Sequence, residues 1–268
     1  MAITTLDGVI AGMRAPAQFL KVGAAMEAVG VHHSFFYTSG IPGAAVAPSP
    51  GIAGAALTTY AGQIPFTNPV SGNTYLARLQ TSASVVGCLR LFDRLWHNSG
   101  IAVTTTTAQT VNSAAWPARD KTGTTNGDGI QIGIEVSTAT TNAGAITNTT
   151  MSYTNQAGTA GKTATIASFP ATAVAGTFVP FQLAAGDTGV RSIQTITLGT
   201  SYGGGAIHLV AYRELARLEC VVVNTGNSID ALTSGFVRMY DNTVPFLVWL
   251  ASATTATTIN GQLIYTQG

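Results

Sequence analysis

The sequence IQIGIEV, residues 130–136, decides the fold class, because apolar side chains alternate along it with other residues. Successive side chains of a β-strand point to opposite faces, so this alternation predicts a strand with one buried face. Comparable segments, rich in β-branched residues, follow at 146–153, 163–166, 177–183 and 193–198. Turns rich in Gly, Asn and Asp separate them. Short strands at this spacing predict a mainly β fold, arranged as a β-sandwich or jelly roll.

The same pattern continues toward higher residue numbers. Further strands are predicted at 206–213, 218–223, 236–240, 246–251 and 258–266. The segment 246–251 reads FLVWLA, which is apolar throughout and therefore typical of a strand that is covered on both faces. We expect one of those faces to lie against the core or against a partner.

Residues 75–96 leave two alternatives open. Their apolar positions fit two strands, but the run CLRLFDRLW at 88–96 contains good helix formers and is followed by NSG at 98–100, which suits a helix end. A short helix and a strand therefore both remain candidates at 88–96. The Thr-rich residues 101–111 predict a strand.

A short amphipathic helix is predicted near residue 10, where Leu6, Val9, Ile10 and Met13 are spaced i, i+3, i+4 and i+7. Pro16 limits its continuation. A dense apolar segment follows this helix and is expected to dock on the chain's own core or on a neighbouring subunit.

Residues 40–73 predict an extended Pro/Gly-rich arm. Five prolines in this range are incompatible with a regular helix or a central strand. Long loops of this kind tend to be functional, and in assemblies they lie across a neighbouring subunit. We divide the chain into an apolar segment with the arm, 1–73, and a β-sandwich domain, 74–268, with one continuous domain as the alternative.

Charged residues make up 9% of the 268-residue chain, against roughly 25% in an ordinary soluble domain. A surface of neutral hydroxyls and amides has few charges to desolvate and can be buried against a partner at low cost. The net charge is +1, and Lys and Arg are scattered singly, so no nucleic-acid surface is predicted. The chain shows no signal peptide and no apolar stretch of about 18 residues, so we predict neither secretion nor a membrane span.

The run DKTGT at 120–124 matches the phosphorylation motif of P-type ion-pumping ATPases, and GDG follows at 127–129. The context contradicts that function. In those ATPases the Asp ends an apolar parallel strand and the Gly-Asp-Gly lies on a distant one, whereas here Pro117 and Arg119 interrupt the preceding segment and only a few residues separate the two motifs. We interpret this region as an exposed, turn-rich loop.

No other motif indicates catalysis, a cofactor or a metal ion. Cys88 and Cys220 lie far apart within apolar segments, which favours buried free thiols. Adjacent His32 and His33 would point to opposite faces of a strand and rarely bind one ion together. Glu214 and Glu219 alternate with arginines, which indicates structural ion pairs, as does the cluster of charges at 90–94. We predict that the chain is not an enzyme.

The whole pattern resembles tailed-bacteriophage virion proteins, and among them it is most similar to capsid decoration, or cement, proteins. The resemblance rests on the charge-poor Gly/Ala/Thr/Asn-rich strands, the Pro-rich arm and the missing catalytic signature. It implies a β-sandwich or barrel on the outer shell, often as a homo-oligomer such as a trimer, that binds neighbouring major capsid subunits. It also implies synthesis in the host cytoplasm and a final location in the virion.

Ten apolar or aromatic residues are the candidates for contacts with partner chains, and each has core packing as its alternative. These predicted contact residues are Phe19, Phe35, Phe36, Tyr37, Ile41, Pro48, Pro50, Ile64, Phe246 and Trp249. Two other functions remain open. A phage tail component (tube, fibre or a receptor- or glycan-binding module) predicts exposed aromatic residues such as Trp116 and Tyr202. An unrecognised hydrolase predicts paired carboxylates or a Ser–His contact that involves His97 or His208.

Overall fold

The structure is a computed structural model that describes residues 3–235 and 237–268. The described chain is mainly β, as the alternating segments predict. Its helices and strands are α1 (Leu6–Ala11), β1 (Ala17–Val22), β2 (His32–Ser34), β3 (Gly40–Ile41), β4 (Ala55–Ala56), β5 (Thr74–Ala83), β6 (Gly87–His97), β7 (Gln109–Thr110), β8 (Ile130–Thr138), β9 (Ile146–Asn155), β10 (Lys162–Phe169), β11 (Thr177–Pro180), β12 (Val190–Thr197), β13 (Ala206–Cys220), β14 (Asn227–Asp230), α2 (Ala231–Ser234), β15 (Arg238–Met239), β16 (Pro245–Ala251) and β17 (Thr258–Gln267).

The central sheet closes on itself. In the described residues its strand order is β13-β8-β11-β2-β16-β6, and β6 pairs back with β13, so that six antiparallel strands form a ring. β4 pairs with Trp96 and His97 at the end of β6, on the edge that β16 occupies along the rest of that strand. Closure removes the unpaired edges that an open sheet would present. We call this ring the central barrel.

Two further sheets pack against the central barrel. The first outer sheet has the order β14-β5-β17-β1-β3, with β15 also on β5, and the second has the order β10-β9-β12-β7. One apolar core joins the first outer sheet to β6, β13 and β16, and another joins the second outer sheet to β8 and β13. A third, aromatic core fills the barrel interior. The described chain is therefore a central barrel with two sheets packed against it.

The IQIGIEV segment forms β8, as predicted, and shows why its alternation is so regular. Ile132, Ile134 and Val136 belong to the core shared with the second outer sheet. The residues between them face the barrel interior, where a Cβ on Gly133 would lie 2.6 Å from Cζ of Phe178. A glycine at this position makes room for that ring.

The helix alternative at 88–96 is wrong, because these residues belong to β6. This strand pairs with β13 along one edge and with β16 along the other, and most of its side chains are buried. Both faces are covered, one by the aromatic core and one by the leucine-rich core, so the sequence loses the period of two that identifies a half-buried strand. Strand pairing overrides the helix preference of Leu and Arg.

Other boundaries also differ from the predictions. The Thr-rich range 101–111 contains only the short β7, and 221–223 lie beyond the end of β13, which joins the two strands predicted at 206–213 and 218–223. Phe236 lies outside the described residues, and the strand predicted at 236–240 is represented by β15. The sequence did not indicate β1, β2 or β14 as strands.

The predicted helix near residue 10 is α1, and Thr5 caps it by accepting a hydrogen bond from the backbone N–H of Gly8 (3.1 Å). The arm at 40–73 contains only β3 and β4 as described strands, in agreement with its prolines. Lys21 holds the start of the arm, because its buried Nζ donates to the carbonyls of Thr38 and Pro42 (3.2 and 2.6 Å). The division of the chain at residue 73 stays a prediction.

Candidate functional site

Most of the predicted contact residues lie inside this chain. Phe19, Phe35, Phe36, Pro48, Ile64, Phe246 and Trp249 are buried, Tyr37 is half-buried, and Ile41 and Pro50 are exposed. Apart from Pro48, the buried residues belong to the apolar cores, which is the alternative that the sequence leaves open for each of them. A contact with a partner chain stays a prediction, and Ile41 and Pro50 are placed where a partner could reach them.

The barrel interior contains a buried ion pair. Nη1 of Arg94 and Oε2 of Glu135 are 2.7 Å apart, and neither side chain is exposed. The guanidinium lies over the ring of Phe36, 4.5 Å from its centroid, and also contacts Phe246. Tyr37 donates its hydroxyl to Oε2 of Glu135 (2.8 Å), and burial followed by the Glu135 charge raises the pKa of Tyr37. These contacts place a net-neutral ion pair among aromatic rings, and in the described structure Nη1 and Nη2 of Arg94 and Oε1 of Glu135 have no hydrogen-bond partner.

His97 extends this unit. Nε of Arg94 donates to Nδ1 of His97 (3.1 Å), so that nitrogen carries no proton. Burial, and then the charge of Arg94, lowers the pKa of His97 to about 2, and the ring is neutral at ordinary pH. The ring also makes an edge contact with Tyr60 at 4.7 Å between centroids.

A second buried ion pair ties a loop to the barrel. Arg119 donates from Nε and Nη2 to the two carboxylate oxygens of Asp93 (2.9 and 3.1 Å) and from Nη1 to the carbonyl of Leu57 (2.8 Å). Asp93 also accepts the backbone N–H of Val244 (3.0 Å). The sequence indicates ion pairs for the charges at 90–94, but it does not identify Glu135 and Arg119 as the partners or show that both pairs are buried. Single charges inside apolar strands, such as Arg94 and Glu135, are the signal for such burial.

His208 makes the Ser–His contact that the hydrolase alternative predicts. Its Nε2 is 2.7 Å from Oγ of Ser137, and its Nδ1 is 2.8 Å from the carbonyl oxygen of Asn98. A carbonyl can only accept, so Nδ1 carries the proton and Nε2 accepts from the serine hydroxyl. Burial lowers the pKa of His208, which keeps the ring neutral. Ser137 is half-buried, beside an irregularity in the pairing of β8 with β13.

The DKTGT region is a loop, as interpreted, but its aspartate is buried. Asp120 accepts from the backbone N–H groups of Thr122, Thr124 and Gly127 (2.9, 2.8 and 3.1 Å) and from both threonine hydroxyls. Burial opposes ionisation, but these hydrogen bonds outweigh it and lower the pKa of Asp120. The carboxylate organises the loop, and its oxygens are occupied by donors.

The two aromatic residues that the tail alternative predicts to be exposed are buried. Trp116 lies with its ring 5.8 Å from that of Trp96, and Tyr202 lies with its hydroxyl 3.1 Å from that of Thr149. Both belong to the core shared with the second outer sheet. That prediction is therefore wrong for these two positions, because each aromatic side chain covers one side of the strands next to its loop.

The predicted ion-pair arrangement near the end of β13 is present in altered form. Glu214 pairs with Arg90 (3.1 Å) and Glu219 pairs with Arg217 (3.0 Å). Arg213 instead donates to the carbonyl of Arg238 (2.9 Å). Cys88 and Cys220 are both free and buried, which confirms their prediction.

The outer face of the first outer sheet is neutral across its middle. Register places Gln18, Gln262, Gln80 and Ser228 in one row across β1, β17, β5 and β14, with Asn260 in the next row. Nε2 of Gln262 donates to Oε1 of Gln80 (3.3 Å), and a shallow depression of about 420 Å³ lies over the row. We call this surface the amide face.

Charges are scarce on the surface because many are inside. Of the 12 basic and 11 acidic residues, seven are buried in the described structure, namely Lys21, Asp93, Arg94, Arg119, Asp120, Glu135 and Arg213. Sixteen remain for an accessible surface of 10664 Å². That area is close to the roughly 11,000 Å² expected of a compact chain of this mass, so the low charge density is a property of the surface and not of an open fold.

Among the described residues, no three or more His, Cys, Asp or Glu side chains gather in a metal-binding arrangement. The described helices include none with the length and apolar character to cross a membrane.

No protein-family model matches the chain, and no curated protein matches it. Solved structures that the chain is similar to include the VP2 subviral particle of infectious bursal disease virus, at 12% identity and a TM-score of 0.21, covering 96% of this chain and 81% of that one. The Gt strain of the same virus matches at 14% identity and a TM-score of 0.18, covering 84% of this chain and 47% of that one. Likeness at these scores carries no argument about function.

Proposed function

We propose that this chain is a non-enzymatic structural subunit of a virion, which assembles with copies of itself and with other subunits. One observation supports the proposal above the others: only sixteen charged residues are not buried, on an accessible surface of 10664 Å². An ordinary domain of this length would have roughly 67 charged residues, most of them exposed. Burying a neutral surface against protein removes few ions from water, so contact with other chains is favourable over a wide area.

The finer proposal is a decoration protein of a tailed-phage capsid, a homo-oligomer such as a trimer that binds neighbouring major capsid subunits. The amide face supports it, since Gln and Asn side chains both donate and accept hydrogen bonds and suit a flat neutral partner surface. Symmetric repetition over a shell would multiply modest contacts into a stable attachment. A tail component is the alternative within the virion.

Copy number tests this proposal. Particles of the phage that encodes the chain would be purified and the chain quantified by mass spectrometry against the major capsid protein. Hundreds of copies per particle are expected of a decoration protein, and a dozen or fewer would assign the chain to the tail. Particles that contain none of it would overturn the virion role.

A hydrolase is the second candidate, and the contact between Ser137 and His208 favours it. The ring has the tautomer of a general base, but a backbone carbonyl, not a carboxylate, orients it. A fluorophosphonate probe tests this candidate. Labelling of the native chain that Ser137→Ala abolishes would support a nucleophilic serine, whereas an unlabelled native chain would leave the contact as a structural hydrogen bond.

A further inference from the structure

A groove of about 730 Å³ lies beside β1 on the described surface. Its walls come from the segment that follows α1, from the end of β3, from the arm and from β17. Residues that line it include Arg14, Pro16, Ile41, Pro65, Val70 and Tyr265. The lining is mixed, because Gln18, Thr67, Asn68 and Gln267 add polar side chains to these mainly apolar ones.

The helix α1 borders the same surface and directs its apolar stripe outward. Leu6 and Ile10 lie one turn apart on α1 and are 69% and 59% exposed, and Met13, two residues beyond the end of the helix, is 44% exposed. The helix is held from its other side, where the hydroxyl of Thr266 donates to the carbonyl of Val9 (2.8 Å). An amphipathic helix normally buries this stripe, so here the stripe is available to another molecule.

The groove and the helix carry complementary charges. Arg14 donates to Oε1 of Gln267 (2.9 Å), and no carboxylate lies within ion-pair distance of it in the described chain. Asp7, in the first turn of α1, is exposed and likewise has no ion-pair partner among the described residues. A helix with an exposed apolar stripe and one carboxylate therefore matches a partly apolar groove whose one charged group among the described residues is a guanidinium.

We propose that this groove binds α1 of a second copy of the chain, with Leu6 and Ile10 entering it and Asp7 of one copy facing Arg14 of the other. This inference rests on the proposed function and deepens it, because it names the surface through which copies meet. A contact of this kind gives a two-fold dimer when the two copies exchange helices, and otherwise a ring when the rotation between successive copies closes.

The available area is sufficient. The apolar side chains exposed around this surface are Leu6, Ile10, Met13, Leu20, Ile41 and Val70. They present on the order of 600 Å², the upper end of what a monomer normally leaves in one patch. A stable interface buries about 800 Å² on each partner, of which a little over half is apolar.

Sedimentation equilibrium of the full-length chain tests the contact. We expect Ile10→Glu to raise the dissociation constant for self-association by at least about tenfold, since it places a second carboxylate in the apolar groove. Val222→Glu is the matched control, because Val222 is a similarly exposed apolar residue outside this surface, and it should associate like wild type. Circular dichroism and thermal melting establish that each variant is folded.

Charge exchange makes the test specific for a second copy. Asp7→Arg and Arg14→Asp should each weaken association alone, because one places two cations together and the other two anions. An equimolar mixture of these two variants should recover association, since the guanidinium introduced on α1 of one then meets the carboxylate introduced in the groove of the other. Recovery in the mixture supports the contact, and a mixture as weak as its components overturns it.

The remaining outcomes separate this inference from the proposed function. If Ile10→Glu associates like wild type, α1 is not the contact and the assembly role stands. If the wild-type chain is monomeric but still binds purified particles, the occupant is another virion protein, which overturns the self-contact alone. A wild-type chain that neither associates nor binds particles overturns both.

Discussion

Arg94 and Glu135 face each other inside the central barrel, with 2.7 Å between Nη1 and Oε2 and no exposure of either side chain. The two residues come from strands that are not neighbours in the ring, β6 and β8, which are separated by β13. Their attraction thus crosses the barrel interior and adds to the hydrogen bonds of its wall.

Removing one partner of this pair should destabilise the fold strongly. Glu135→Leu leaves the Arg94 charge buried and uncompensated, and we expect a loss of about 3–5 kcal/mol in the free energy of unfolding. The double variant Arg94→Met/Glu135→Leu should lose less, because no charge remains inside. Guanidinium denaturation measures both, and Glu214→Ala, at a half-exposed ion pair, is the control with a loss below about 1 kcal/mol. A single variant that is no less stable than the double one would contradict the prediction.

Acid should destabilise the protein through its histidines. Burial lowers the pKa of all four histidines. The pKa falls to about 4 for His32, where the charges of Arg90, His33 and Arg217 add to the effect of burial. It falls to about 2 for His97, and it is also lowered for His33 and His208. The unfolded chain therefore binds protons below about pH 6.5 that the folded chain does not. The histidines therefore leave the free energy of unfolding undiminished above that pH and lower it as the pH falls toward 4.

His32 and His97 each contribute a slope of up to about 1.4 kcal/mol per pH unit below about pH 6.5, and His33 and His208 add to it in the same direction. Urea denaturation at a series of pH values between 7 and 4.5 measures the total. His97→Gln keeps an acceptor for Arg94 but cannot be protonated. In a plot of the free energy of unfolding against pH, this variant should lack the part of the slope that His97 contributes. A stability that is constant from pH 7 to 4.5 would mean that these rings are not buried.

The two thiols should be inert in the folded protein. Burial raises the pKa of Cys88, and it raises that of Cys220 to about 11, so that neither forms much thiolate at neutral pH. Ellman's reagent at pH 8 should detect no thiol in the native chain and two in 6 M guanidinium. Val222→Cys, at an exposed position outside the groove beside β1, is the control and should react at once. Rapid reaction of the native wild type would place a cysteine at the surface.

Asp120 should matter for stability and not for phosphoryl transfer. Asp120→Asn replaces an acceptor oxygen by an amide N–H that faces other donors, so we expect a loss of about 1–3 kcal/mol in the free energy of unfolding. The wild-type chain should take up no label from γ-labelled ATP, because both carboxylate oxygens already accept hydrogen bonds. Stable incorporation of label at Asp120 would contradict this assignment.

The sequence predicts strands best where one face is buried. In β8 the alternation is complete, and β9, β10, β12 and β17 were likewise found at nearly their observed positions. β6 failed because both of its faces are covered, which leaves no period to detect. The run at 101–111 failed for the opposite reason, since Thr has a high strand propensity but no neighbouring strand is there to pair with most of this segment.

The interior charges show what a single sequence cannot supply. Arg119 reaches Asp93 and Arg94 reaches Glu135 only because the strands and loops that carry them meet in the fold, far apart in sequence. Large apolar residues such as Trp249 are equally consistent with a core and with an interface until the fold is known. The spacing of apolar residues predicts that α1 has an apolar stripe. It does not predict whether that stripe faces the core or solvent, so the candidate surface at α1 becomes visible only in the fold.

Closure of the central barrel sets the order in which the chain can fold. β2, from residues 32–34, lies between β11 and β16, so the ring is incomplete until residues up to 251 are available. A chain emerging from the ribosome must therefore hold its early strands without their final neighbours until almost all of it has been synthesised. Such long-range pairing is slow, and we expect it to make newly made chains dependent on chaperones. The closed ring of described strands has no unpaired edge strand at which unfolding could begin, so we expect it to unfold slowly once formed.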